Sequence, residues 1–115
     1  MKHCVSQTQS YIVECGTVNV MSIASSGLRA ATLGVQAAAS NVARLPVAEA
    51  TRIGVAQTAV AGGGVDASLV EAGADPAAPV SDLLAAKEAV LAFAANATLI
   101  RRSDQMLGAL LDERA

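Results

Sequence analysis

Residues 81–112 read SDLLAAKEAVLAFAANATLIRRSDQMLGALLD, and this stretch decides the fold. Alternating steps of three and four through it select nine positions, eight of them apolar, which is the spacing of a coiled-coil seam. The nine positions are Leu83, Ala86, Val90, Phe93, Ala97, Ile100, Asp104, Leu107 and Leu111. No Gly or Pro interrupts the pattern before Gly108, so it predicts one helix of about 30 residues, roughly 45 Å long.

The start of this helix carries three signals. Pro79 lies just ahead of it, Ser81 is able to cap the first turn, and Asp82 suits the positive end of the helix dipole. A helix of this length is longer than most helices in a compact domain of this size, and most helical stability in proteins comes from packing of an apolar face. We therefore expect it to pack against a partner along its whole length.

A second heptad stretch supplies that partner. It covers about 21 residues, all of its seam positions are apolar, and it ends before Pro46, which disfavours helical backbone in the preceding residue. Its seam positions are Ala24, Leu28, Ala31, Val35, Ala38, Val42 and Leu45. The chain is therefore predicted to be mainly α, with two long antiparallel helices forming a coiled-coil-like hairpin.

The middle segment, residues 47–80, has a different pattern. Arg52–Val60 and Val65–Val70 show partial two-residue alternation, and three glycines at 62–64 lie between them. This predicts a short β-hairpin, followed by a linker at 72–79. The predicted divisions are thus a leader at 1–20, an N-terminal helix at 21–46, the hairpin and linker at 47–80 and a C-terminal helix at 81–115.

Residues 1–20 differ in character from the rest of the chain. They contain both cysteines, Cys4 and Cys15, and the single histidine, His3, at spacings that do not match a zinc site. We expect an irregular leader here. The alternative is that the physiological product begins at Met21.

Composition indicates a thin core. Hydrophobic residues make up 53% of the chain but aromatic residues only 2%, and alanine dominates both predicted helices. Alanine favours helix but buries little apolar area, whereas a buried Leu or Phe contributes roughly 1.5–3 kcal/mol. We infer that the chain gains stability by packing against other chains.

Several classes of function are not supported by the sequence. A net charge of −2 gives no reason to expect nucleic-acid binding. No catalytic constellation or metal-ligand cluster is present, so we expect no enzyme, no cofactor and no small-molecule substrate. No uninterrupted apolar run approaches the ~18 residues of a membrane span, so no transmembrane segment is expected, and no signal-peptide h-region opens the chain.

Three polar residues lie in or beside the predicted seams. Asn41 is either an ordinary exposed residue or a hydrogen-bonding group across a helix interface. Asp104 is expected to be paired, with Arg101 one turn earlier as the candidate, or to face solvent, because an unpartnered buried carboxylate is costly. A contact with a neighbouring subunit is the alternative for Asp104, and Asn96 has the same two interpretations.

Two motifs at opposite ends of the chain resemble the terminal segments of the bacterial flagellar axial family, the rod and hook proteins. Residues 40–44, SNVAR, match that family's S-N-(I/L)-A-N at Ser40, Asn41 and Ala43, with Val42 a conservative replacement and Arg44 in place of the second Asn. Residues 92–107 match its A-Y-E-x-N-x-K-(V/I)-I-x-x-x-D-x-(M/L)-L. The agreeing positions in the second motif are Ala92, Asn96, Ile100, Asp104, Met106 and Leu107, with Phe93 standing where the family has Tyr.

The middle of the chain adds to this resemblance. Gly63-Gly64-Val65, followed by a short strand and a proline-containing linker, is similar to the small proximal-rod proteins. The chain departs from the family's pattern at Arg44, at the nearby Pro46 and in its short middle segment. These departures favour a divergent or reduced paralogue.

The resemblance implies a mechanical function. Subunits of this family polymerise through their terminal helices into the tube of the basal-body rod, leave the cell through the flagellar export apparatus without a cleaved signal peptide, and support motility. The expected partners are copies of this chain and other rod or axial proteins, in the periplasmic part of the flagellum. The residues expected at subunit packing positions are Leu28, Val35, Asn41, Val42, Val90, Phe93, Asn96, Ile100, Asp104, Met106 and Leu107.

Two other interpretations remain open from the sequence. The first is a helical-hairpin adaptor or chaperone that binds a helix of another protein. The second is an amphipathic hairpin lying on a membrane surface, which is disfavoured because its polar faces are not enriched in Lys.

Overall fold

The fold is a pair of long helices with a two-stranded sheet inserted between them in the chain. The computed structural model describes residues 9–47 and 49–113, with side chains described from residue 20 onward in those ranges. The elements in chain order are helix α1 (Gln9–Arg44), strand β1 (Arg52–Ala59), strand β2 (Val65–Ala72) and helix α2 (Ala78–Leu111). This confirms the predicted fold class of an antiparallel helical hairpin with a β-hairpin insertion.

Helix α1 ends at Arg44, just before Pro46, as the sequence predicts, and Leu45 and Pro46 form the turn that follows the helix. Its start differs from the expected division. The helix begins at Gln9 and so extends into the segment for which an irregular leader is expected. Residues 1–8 and the side chains of 9–19, including both cysteines and His3, lie outside the described part of the chain.

Helix α2 begins earlier than predicted, and Ser81 is not its cap. Ala77 occupies the cap position without a side-chain bond, and Pro79 lies inside the first turn, where a missing N–H costs nothing. Asp75 organises this start instead. Its Oδ1 accepts the Ala77 N–H at 2.9 Å, and its Oδ2 accepts the Ser81 hydroxyl at 2.6 Å.

The β-hairpin lies along α1 and is held to it near the turn. Strands β1 and β2 are antiparallel, with Arg52 opposite Ala72 and Ala59 opposite Val65. Gly64 has φ +91°, and a Cβ there would overlap the Ser26 hydroxyl. That hydroxyl accepts the Val65 N–H at 3.1 Å, so glycine at position 64 allows the turn to reach α1.

The two helices meet at small and polar residues that recur every seven positions. A Cβ on Gly27 would meet the Asn96 side chain, a Cβ on Gly34 would lie 3.1 Å from the Ala89 Cβ, and Asn41 bonds Asp82 at 3.2 Å. The pairs run in opposite directions along α1 and α2, which makes the helices antiparallel. We call this line of contact the seam.

The predicted seam is wrong by one position at every second step. Ala24, Ala31 and Ala38 are buried as predicted. The other predicted positions of α1 are Leu28, Val35 and Val42. Each is one residue beyond the position that contacts α2, which is Gly27, Gly34 or Asn41. Val42, Leu83 and Val90 are 45%, 63% and 57% exposed. Large side chains on the contact line would hold the helices apart, whereas Gly and Ala allow the backbones to approach closely.

The interior is correspondingly thin. Every buried apolar residue in the described part of the chain is an alanine, and no large side chain there is fully buried. The radius of gyration is 19.0 Å, whereas a compact domain of similar length has about 13 Å. The accessible surface is 8832 Å², against about 5,800 Å² for a compact chain of this mass.

Candidate functional site

Asn41 joins α1 to the first strand and to α2. Its amide nitrogen donates to the Ile53 carbonyl at 2.8 Å and to the Asp82 Oδ1 at 3.2 Å. Its amide oxygen accepts the Ile53 N–H, also at 2.8 Å. Asn41 is buried, so the interface interpretation of this residue is the one that the structure supports.

Arg52 extends this junction to the linker. Its guanidinium donates to the buried Asp82 carboxylate and to the Gly73 carbonyl at 3.3 Å, and it lies 4.0 Å from Asp75. We call Asn41, Arg52, Asp75, Ser81 and Asp82 the polar cluster. It fixes the end of α1, the start of β1, the linker and the first turns of α2 relative to one another.

Two atoms of the polar cluster lack partners in the described part of the chain. They are Arg52 Nε, a donor, and Asp82 Oδ2, an acceptor, and both are buried. Because they belong to the same ion pair, a two-bond guanidinium–carboxylate contact would satisfy both atoms. Asp82 depends on such contacts, since an unpaired buried charge is strongly destabilising.

The pKa of Asp75 is lowered from its ordinary value of 3.8. The hydrogen bond from the Ser81 hydroxyl is the main cause, followed by the Ala77 N–H and the charge of Arg52, and desolvation opposes them. Each of these donors favours the ionised carboxylate. Asp75 therefore serves as an ionised cap for the start of α2.

A groove of about 530 Å³ runs along the seam between the β-hairpin and α2. Its floor is formed by the small residues of α1 between Gly27 and Asn41, and one wall is β1 with Ile53, Val55 and Gln57. The opposite wall is α2, with Ala85, Glu88, Ala89 and Ala92. The groove exists because these residues are too small to fill the space between the elements.

Helix α2 also exposes a long series of large apolar side chains. We call these residues the apolar surface of α2, and each is between 44% and 84% exposed. Its members are Val80, Leu83, Leu84, Val90, Leu91, Phe93, Leu99, Met106, Leu107, Leu110 and Leu111. A helix exposed in this way is typical of a surface that another chain covers.

The residues predicted for subunit packing fall into two sets. The first is wholly or partly buried within this chain and contains Leu28, Val35, Asn41, Asn96 and Ile100. The second is exposed and contains Val42, Val90, Phe93, Asp104, Met106 and Leu107. The exposed set is the one that remains accessible to a neighbouring subunit, and its role there stays a prediction.

Two polar residues have simpler surroundings than Asn41. The Asn96 amide donates to the Ala92 carbonyl of its own helix at 2.8 Å. Asp104 faces solvent, and in the described part of the chain it forms no ion pair with Arg101. Sequence reasoning assigned Asp82 only to the helix dipole and gave Arg52 no role, so it missed the charged half of the polar cluster.

The described side chains offer no candidate metal site, and the expectation that the protein is not an enzyme stays a prediction. Among the described side chains, those of residues 20–47 and 49–113, no group of three His, Cys, Asp or Glu is placed to hold a metal ion. The absence of a cofactor stays an expectation.

Helix α2 meets the length and composition criteria for crossing a membrane. One 18-residue window within it has a mean hydropathy of 1.5, and none of that window is buried in the single chain. The helix reaches this average without an uninterrupted apolar run of about 18 residues. The expectation of no transmembrane segment stays a prediction.

Comparison of the chain with protein-family models, with curated protein sequences and with solved structures gives no match. The resemblance carried by the motifs at residues 40–44 and 92–107 therefore stays a prediction.

Proposed function

We propose that this protein is a structural subunit of the bacterial flagellar basal-body rod, polymerising through its terminal helices and contributing to motility. The observation that carries the proposal is the apolar surface of α2, which runs almost the whole length of the helix, whereas α2 meets α1 through small or polar residues such as Asp82, Ala89 and Asn96. The two terminal motifs that resemble the rod and hook family supply the particular assignment.

The energetic argument follows from the size of the buried residues. An alanine seam removes little apolar area from water, and burial of large side chains is the dominant stabilising term in folding and association. Most of the large apolar side chains of α2 are exposed in the single chain. Neighbouring subunits that covered them would supply the stabilisation that the thin core of the single chain lacks.

A filament is the assembly that suits this surface. An interface between unlike patches of identical chains generates an open helical array when its rotation does not close. The molecule measures 65 × 34 × 15 Å, so it is a thin plate with helices along its long axis. Such plates, stacked side by side with their helices along the tube, would build a rod wall in the periplasm around an export channel.

The direct test is purification of hook–basal bodies from cells that produce a tagged full-length chain. The proposal predicts that the chain is retained with the rod after detergent extraction, and that flagellar genes flank its coding sequence. Deletion of its gene should abolish or reduce motility. Complete absence of the chain from purified basal bodies would contradict the proposal.

The alternative is an adaptor or chaperone that binds a helix of a partner protein. The same exposed surface favours it, because an apolar helix face is suited to receive another helix. Sedimentation velocity of the purified chain separates the two functions. A rod subunit should self-associate as its concentration rises, whereas an adaptor should stay monomeric until its partner is added.

A further inference from the structure

The outer edge of β1 has a defined set of unpaired backbone groups. The Val60 N–H donates to the Gly64 carbonyl. In an antiparallel pair, every second residue forms hydrogen bonds with the neighbouring strand. The even-numbered residues of β1 are therefore the ones hydrogen-bonded to β2. The odd-numbered residues Ile53, Val55 and Gln57 therefore direct their N–H and C=O groups away from β2.

Asn41 already occupies the first position on this edge. Its side-chain amide donates to the carbonyl of Ile53 and accepts from its N–H, both at 2.8 Å. A side-chain amide has the same donor and acceptor as a peptide group, so Asn41 pairs with Ile53 as a residue of an added strand would.

The next two positions on the edge are open. Val55 and Gln57 line the groove, as Asn41 does, and in the described part of the chain no group bonds their outward N–H and C=O. Unpaired edges of this kind are the usual template for pairing with another chain. The floor beside them is glycine and alanine, which leaves the space unfilled.

Charge limits the occupant of the groove. Arg52 is engaged by Asp82 and Asp75, whereas Glu88 on the α2 wall is exposed and has no ion pair among the described residues. The uncompensated charge facing the groove is therefore negative. A partner segment with a basic side chain complements it.

We propose that this groove binds an extended segment of a partner polypeptide, which adds to the edge of β1 at Val55 and Gln57 and places a basic side chain toward Glu88. Backbone bonds would provide the affinity, and the small floor together with Glu88 would select narrow side chains and one positive charge. A helix would leave the edge unpaired, because helix axes pack 8–10 Å from their neighbours, about twice the spacing between strands. This binding function is separate from rod assembly, and its failure would leave that proposal untouched.

The experiment uses the ¹⁵N-labelled full chain and a capped five-residue peptide of alternating threonine and valine with a central lysine. Amide hydrogen exchange at Val55 and Gln57 should slow by roughly tenfold or more on peptide addition, because exchange reports the opening of each hydrogen bond. The same peptide with N-methylated backbone amides should give no protection. A central glutamate should weaken binding.

Matched variants locate the site. Ala92→Leu places a larger side chain in the groove and should abolish the protection, whereas Ala94→Leu, also exposed on α2 but outside the groove, should leave it intact. The proposal is overturned if the peptide leaves Val55 and Gln57 unprotected or if Ala92→Leu has no effect. It is also overturned if the same amides become protected without peptide as protein concentration rises, since a second copy would then be the occupant.

Discussion

Among single residues, Asn41 has the most specific hydrogen-bonding requirements, because its amide is both donor and acceptor to Ile53. Asn41→Asp keeps the shape but removes the donor and places a second carboxylate beside Asp82. We expect the free energy of unfolding to fall by about 1–3 kcal/mol or more, the range for unsatisfied buried polar groups. Urea denaturation followed by circular dichroism measures this change.

The matched control for that substitution is Asn96→Asp. Asn96 is only partly buried and its amide donates within its own helix, so the loss there should be clearly smaller. Equal losses at the two positions would show that the bonds between Asn41 and Ile53 have no special weight.

The Asp75 carboxylate predicts how the stability of the protein depends on pH. Because its folded pKa lies below the ordinary value of 3.8, its stabilising contribution is complete above that value. The contribution is lost as the pH falls through the lowered folded pKa. Asp75→Asn should therefore reduce stability at neutral pH and flatten the acid limb of the melting temperature measured between about pH 7 and pH 2. An unchanged acid limb would assign it to other carboxylates.

The close approach of helices α1 and α2 gives a prediction about stability. Gly34 and Gly108 are both helical glycines, but a Cβ at 34 would lie 3.1 Å from Ala89, whereas nothing lies within 4 Å of one at 108. Gly34→Leu should lower the free energy of unfolding by about 1–3 kcal/mol through overpacking. Gly108→Leu should leave it unchanged or raise it, because leucine favours helix. Similar effects from both would mean that the helices do not touch at Gly34.

The sequence predicted the elements well and the phase of the helix contact poorly. Both helices carry two adjacent lines of apolar residues, and the heptad pattern alone favours the one with larger side chains, such as Val35 and Val90. The structure uses the neighbouring line of Gly34 and Ala89, where the gain comes from close backbone approach. That choice depends on both helices together and cannot be read from either one.

The polar cluster was only partly predictable for the same reason. Asn41 stood out as a polar residue beside an apolar seam, but its partners are 12 and 41 residues away in the chain. The pairing of Asp82 with Arg52 requires the register of two helices and the position of a strand. The remaining signal was the Asp82 carboxylate near the start of α2, and the favourable interaction of this charge with the helix dipole already explained it.

At the scale of the whole molecule, shape and surface point the same way. Within the described part of the chain, the interior of the thin plate is wide enough only for alanine among apolar residues, so α2 carries its large side chains outside. Exposed apolar area of this extent makes the free chain prone to association. Assembly is therefore expected to raise the stability of each folded chain, although both helices are already formed in a single chain.

Phe93 provides the test of that coupling. It is 46% exposed, so about half of its surface is available to a neighbouring subunit. Phe93→Ala should weaken each intersubunit contact by roughly 1 kcal/mol, or about fivefold in the association constant, and this loss is multiplied along a filament. Helicity of the dilute chain should change little, and Lys87→Ala, on the same helix, should alter neither property. Parallel loss of helicity and assembly in Phe93→Ala would mean that this side chain acts mainly within its own chain.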